Sequence, residues 1–356
     1  MRTTVNMLFP FDLGLELDFT GKDAMEFFKQ ISVRRLGVLS VDEKIFSQTE
    51  FSTQVYKFGV GIIHISFETD HDINYLAALS TRIEKIRVGK MSIISYCQSL
   101  VDGLIQKASR YATYRYERRL TEGEIFPIFV FKEPLAEDAD GFIRKHQKAL
   151  FGLLAGEANY DSLSSYVLEQ EKLVNFGYYE SELVLIKRFG AAVYSEEYTT
   201  ITGMIKLAFA QYWSLRSYNF ILDHELETSQ KLLGTLPPYY KFWSIPGAYQ
   251  KFSTEAMDFD RDKISIVDSL YNVISNIPKV ESDWHLSKLH KSVNKVFNID
   301  DLYKMVETKI ERIAESYNSA RDFLSTNFFI LLDIIFFLSL VWSIIDTWLL
   351  WKLTVK

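Results

Sequence analysis

With 356 residues, 48% of them hydrophobic and 15% aromatic, the chain has material for two ordinary folded domains and is not a disordered polypeptide. A net charge of −6 sets it apart from general nucleic-acid binders. The single cysteine, Cys97, excludes an internal disulfide and argues against a cysteine-based metal site.

Met1 to Asp12 lacks a signal-peptide core, because Pro10 and Asp12 interrupt it. Phe11, Leu13, Leu15, Leu17 and Phe19 alternate with polar residues or glycine, which predicts a half-buried strand. A short helix is expected over Thr20 to Gln30, and strands over Val33 to Val41 and Gln54 to Phe67. Asp70 or Asp72 caps a helix whose inner face is Ile73, Leu76, Ala77, Ser80, Ile83 and Ile86. Met91 to Arg119 reads as a longer helix. Ile125 to Lys132, carrying Pro127, reads as an edge strand. This order over 1–133 is that of an α+β fold, a ferredoxin-like α/β sandwich with an extra helix.

Glu133 to Gly141, with Pro134 and four acidic residues, reads as a linker. A second α/β or mostly helical unit is expected over 142–235: helices at Phe142–Glu157 and Leu163–Phe176, a strand at Leu183–Ser195, and a long helix at Thr202–Leu233. The strand echoes an earlier one. Lys57-Phe58-Gly59 and Arg188-Phe189-Gly190 each precede apolar β residues, as a duplication or a coincidence would produce. Gly234 to Gly247 reads as the second linker, and 248–298 as a helical region broken at Pro278.

No chemical motif survives inspection. Asp258, Asp260 and Asp262 begin like a calcium loop, but Lys263 stands where glycine is needed and Ser269 where glutamate is needed. His285 and His290 are five apart, which does not make a zincin helix, and Gly89-Lys90 is not a phosphate-binding loop. No catalytic, cofactor-binding or metal-ligating set is assigned, and no cofactor is expected. Lys107, Arg110, Arg115, Arg118 and Arg119 interleave with Tyr111, Tyr114 and Tyr116. Such a stretch fits an amphipathic helix, RNA stacking, or contact with anionic lipid.

The end of the chain is the most informative part. Val306, Ile310, Ile313, Tyr317, Ala320 and Leu324 keep an alternating three-and-four spacing, the seam of a coiled-coil stalk over 299–327. The seam fits either a partner copy or a hairpin within one chain. No proline or glycine occurs from Asn298 to Trp351, so one helix about 80 Å long is expected. Residues 328–351 are apolar over the length a bilayer requires, with Trp348, Trp351, Lys352 and Lys356 as interfacial anchors. Asp333, Ser339, Ser343, Asp346 and Thr347 fall on one arc of roughly 140° at 3.6 residues per turn. In lipid, a polar arc faces another helix or a watery lumen.

Two resemblances follow from these residues. Val55 to Ile65 with Phe58-Gly59, and the layout of Asn298 to Ile345, resemble the family named for being required for meiotic nuclear division. That resemblance implies a non-enzymatic, oligomeric, membrane-anchored scaffold, with mitochondrial members supporting translation. The pairing of an α/β domain with a long membrane-entering helix is also similar to magnesium channels of the CorA type, without their Gly-Met-Asn signature. The expectation is therefore a single-pass, tail-anchored, self-associating scaffold or sensor with its bulk in the cytosol or an equivalent reducing compartment. An oligomeric channel is the alternative, and an enzyme without a recognisable motif the third reading.

Overall fold

The computed structural model describes residues 1–19, 21–42, 44–135, 138–237, 241, 244–275 and 284–354. Thr20, Pro278 and Lys356, used above as boundaries or anchors, lie outside them. Contacts divide the chain into one unit of Met1–Ile221 with Val267–Lys304 and another of Leu222–Ile266 with Met305–Lys356.

The first unit is built on a nine-stranded sheet. Its strands are β1 (Thr3–Asp12), β3 (Arg35–Val41), β4 (Lys44–Val55), β5 (Val60–Thr69), β6 (Ile86–Val88), β7 (Met91–Ser92), β9 (Phe126–Phe131), β10 (Leu183–Lys187) and β11 (Gly190–Tyr194), in the spatial order β10-β11-β9-β1-β5-β4-β3-β6-β7. All neighbours are antiparallel except β11 and β9. The run β9-β1-β5-β4 has the ferredoxin-like order, with the first strand beside the last and the third. A separate two-stranded sheet joins β2 (Leu15–Leu17) to β8 (Ala112–Arg115).

The expected 1–133 and 142–235 division does not hold as two sheets. The hairpin β10–β11 extends the first sheet through β9, so β9 is interior, with every residue buried, rather than an edge. Pro127 is tolerated because the parallel pairing with β11 begins only at Ile128. Nor is Gln54–Phe67 one strand. It contains the turn between β4 and β5, where Gly59 adopts φ +77°, a conformation that side chains resist. The second Phe-Gly is also a hairpin turn, between Lys187 and Gly190. A Cβ on Gly190 would stand 3.0 Å from the Leu153 carbonyl oxygen. The echo is thus two turns of different build, Gly59 alone of the pair having positive φ.

The helices are α1 (Lys22–Ile31), α2 (Ile73–Thr81), α3 (Ile93–Ala108), α4 (Ala139–Ala155), α5 (Ser165–Gln170), α6 (Tyr198–Gly234), α7 (Ile245–Ser275), α8 (Trp284–Phe297) and α9 (Ile299–Thr354). Asp72 caps α2 as expected, accepting from the Tyr75 amide at 3.0 Å. Met91 to Arg119 is not one helix: α3 stops at Ala108 and the chain turns into β8. One face of the sheet, with Val5, Met7, Phe9, Ile63, Ile65 and Phe67, shares a core with α2, α3 and α4. On the opposite face Phe126 packs 4.9 Å from Phe209 of α6 and 5.5 Å from Phe297 of α8.

Asp12 fastens this unit. Its carboxylate is buried and accepts from the Gly14 amide at 2.8 Å, the Leu120 amide at 2.9 Å and the Ser217 hydroxyl of α6. Burial raises its pKa, opposed by these three hydrogen bonds. Asp12→Ala leaves two buried amides and a hydroxyl without their acceptor. A loss of about 3 kcal/mol or more in unfolding free energy is expected by denaturant titration in detergent.

Candidate functional site

Among the described residues, one helix, α9, is long and apolar enough to cross a membrane. It is continuous for 56 residues, as the absence of proline and glycine predicts. Asn298, at φ +55°, separates it from α8 by a single left-handed residue, a conformation asparagine tolerates better than most. Beyond Leu331 nearly every side chain of α9 is exposed, including Phe336, Phe337, Trp342 and Trp351. Asp333, Ser339, Ser343, Asp346 and Thr347 are all exposed along the same stretch. The Thr347 hydroxyl satisfies itself locally, donating to the Ser343 carbonyl at 2.8 Å.

The seam behaves differently. Val306, Ile310, Ile313, Tyr317, Ala320 and Leu324 are each at most 5% exposed within a single chain. Tyr317 packs 5.3 Å from Phe259 and 6.5 Å from Phe252, both on α7. Lys309 beside them pairs with Asp223 of α6 at 2.5 Å. The heptad pattern therefore serves a helical bundle inside this unit. Within this unit α9 packs back on α7.

The basic, tyrosine-rich stretch does not form one helix face. Lys107 lies in the last turn of α3, Arg110 stacks 5.5 Å from Phe27 and 5.0 Å from Tyr111, and Arg115 lies on β8. Arg119 pairs with Asp102 at 2.8 Å, and Tyr116 donates to Glu16 at 2.6 Å. Arg115, Arg118 and Arg119 do converge on a cleft of about 450 Å³. Lys107 and Arg110 are not part of it.

A groove absent from the sequence-level assignment lies between the sheet and α6. Strand alternation places Thr4, Asn6 and Leu8 beside Glu68, Ser66 and His64, on the face opposite the Val5-Met7-Phe9 core. Thr199, Thr202, Gly203 and Lys206 line the groove from one side of α6, at helical spacing, and the cavity measures about 740 Å³. His64 Nε2 is 3.0 Å from Asn6 Oδ1. Burial, then the nearby charges of Lys206 and Arg34, bring the histidine down to about 4. Burial brings the Lys206 amine down to about 8. The signal was present as polar residues at every second position, Thr4-x-Asn6 and His64-x-Ser66-x-Glu68, inside strands otherwise apolar. Cys97 is inert by comparison, because burial pushes its thiol up to about 12.

No family model matches the chain, and no solved structure matches it. An uncharacterized protein of Methanocaldococcus jannaschii is similar, 22% identical over 212 residues. The alignment covers 59% of this chain and 61% of that protein, so the chain spans about three-fifths of its relative.

The His64 environment predicts a pH dependence. An unfolded histidine protonates near pH 6.5, whereas folded His64 resists protonation until about pH 4. This contribution to stability is complete above pH 6.5 and is lost as pH falls through that window. Its size is about 3 kcal/mol. Urea titrations at pH 7 and pH 4.5 should show a smaller pH-dependent loss in His64→Gln than in the parent chain.

Proposed function

We propose that this chain is a membrane-anchored scaffold or sensor, held by the apolar part of α9, with its α/β unit displayed in water for recognition. The observation that carries this reading is the exposure of α9 beyond Leu331. Fifteen large apolar side chains from Leu332 to Leu353, left uncovered by their own chain, have a large hydrophobic cost in water, and the run matches the thickness of a bilayer core. Lys352 sits 5.2 Å from the Trp348 ring, a cation and an aromatic together at one end of the apolar run, as at a headgroup layer.

Self-association, in this reading, runs through the membrane segment. The α9 seam is already filled by its own chain, while Asp333, Ser339, Ser343, Asp346 and Thr347 remain uncovered and in hydrocarbon favour a second polar surface. Copies of the same helix supply one.

Two measurements check the proposal. Membranes from expressing cells should retain the full chain through alkaline carbonate extraction. Ile335→Arg with Leu340→Arg should release it, since each arginine near the helix centre costs about 2.5–3.5 kcal/mol of insertion. Both positions are exposed, so neither change disturbs packing within the chain. Light scattering of detergent-solubilised protein should show an oligomer that becomes smaller in Asp333→Leu with Asp346→Leu. A monomeric parent would overturn the self-association.

A further inference from the structure

The groove between the sheet and α6 has a charge imbalance that its own residues do not resolve. Its two carboxylates are both engaged: Glu50 accepts from Arg34 at 3.1 Å, and Glu68 accepts from Arg2 at 2.7 Å. Two lysines remain. Lys132 lies 3.5 Å from the centre of the Tyr198 ring, a contact that leaves its charge uncancelled. Lys206 makes no hydrogen bond or ion pair with any described residue, although it is half-buried. An ammonium withdrawn from water without a partner is costly, and proteins pair such groups as a rule.

The floor repeats the point in neutral groups. The Thr4 hydroxyl oxygen is buried without a hydrogen-bond partner. His64 stays neutral at physiological pH and spends its one N–H on Asn6 Oδ1 at 3.0 Å, so it adds no charge to the groove. Nothing lies within 4 Å of where a Gly203 side chain would begin, so the α6 side of the groove is open there. At about 740 Å³ the space lies within the range of small-molecule sites.

We propose that this groove is a binding site for a small organic oxyanion, a phosphate ester or carboxylate, gripped by Lys206 with Lys132 at the rim and the Thr4 hydroxyl as a neutral donor. The bound anion supplies the partner that Lys206 lacks and displaces the water solvating it. The same chemistry is offered by a free metabolite and by a phospholipid headgroup. The site does not depend on how the apolar helix is used.

The test uses the full chain in nanodiscs of neutral phosphatidylcholine, with inorganic phosphate as probe and sodium chloride at matched ionic strength as control. Phosphate should raise the unfolding temperature of the parent chain and leave Lys206→Met unmoved. Without phosphate, Lys206→Met should unfold no lower than the parent, because the methionine fills the same space without an unpaired charge. Lysine dimethylated with carbon-13 and read by NMR should show the Lys206 resonance, identified by its loss in Lys206→Met, titrating at least one pH unit higher once phosphate is bound. Equal stabilisation of both chains, no stabilisation of either, or an unmoved Lys206 titration would each overturn the site. A Lys206→Met chain that unfolds well below the parent without phosphate would assign the lysine a structural role and overturn it equally. Replacing part of the phosphatidylcholine with phosphatidate separates the sources. Reproduction of the Lys206 shift without added phosphate identifies a headgroup, and its absence a soluble anion.

Discussion

One buried carboxylate ties the α/β unit together. Asp12 stands where β1 leaves the sheet, and three donors from separate parts of the chain converge on it: the turn at Gly14, the loop at Leu120 and α6 at Ser217. No cation neutralises it at contact distance among the described residues, and its hydrogen bonds offset the desolvation only in part, as the raised pKa shows. The arrangement fixes the end of β1 and, through Ser217, the middle of α6. Next to it, the Ser214 and Tyr218 hydroxyls both donate to the Phe58 carbonyl, at 3.3 and 3.2 Å. The β4–β5 turn is therefore held to the same helix. The position of α6 over the sheet, and with it the shape of the groove around Lys206, follows from these bonds.

A second set of charges clamps the same helix further along. Arg188, in the β10–β11 turn, binds Glu124 through both guanidinium nitrogens and also donates to Tyr212 at 2.6 Å. Arg216 reaches Glu124 and Glu122 from α6. Partly buried bidentate pairs of this kind carry geometry as well as energy. They explain why a basic residue precedes the second Phe-Gly, a feature that left duplication and coincidence both open in the sequence.

What was legible depended on whether the signal was local. The Asp72 cap, the uninterrupted run of α9 and the apolar length near its end are properties of consecutive residues, and each is present as expected. The ferredoxin-like strand order also followed from the sequence of elements. Pairing information was not legible. Phe126–Phe131 looked like an edge because Pro127 suggested one, yet the partner that makes it interior arrives some sixty residues later. Lys44–Val55 carries mostly polar, half-exposed residues and gave no apolar run to mark it. The heptad seam illustrates the same limit from the opposite direction. Spacing states that Ile313 and Tyr317 are covered, and says nothing of whether the cover is another copy or α7. The groove was missed for a related reason: His64 and Ser66 interrupt apolar strands and were passed over in favour of their neighbours, although the alternation itself places them on a separate face.

The placement of β1 sets a condition on how the chain reaches this state. Thr3–Asp12 lies between β5 and β9, whose residues begin at positions 60 and 126. On the ribosome, Val5, Met7, Leu8, Phe9 and Phe11 emerge well before either flank exists. Non-local pairing of this kind is slow, and unpaired apolar strands are prone to aggregate while they wait. The sheet closes only when β11, at Val193, is free to meet β9. Synthesis thus passes through a long interval in which its greasiest early segment has no mate.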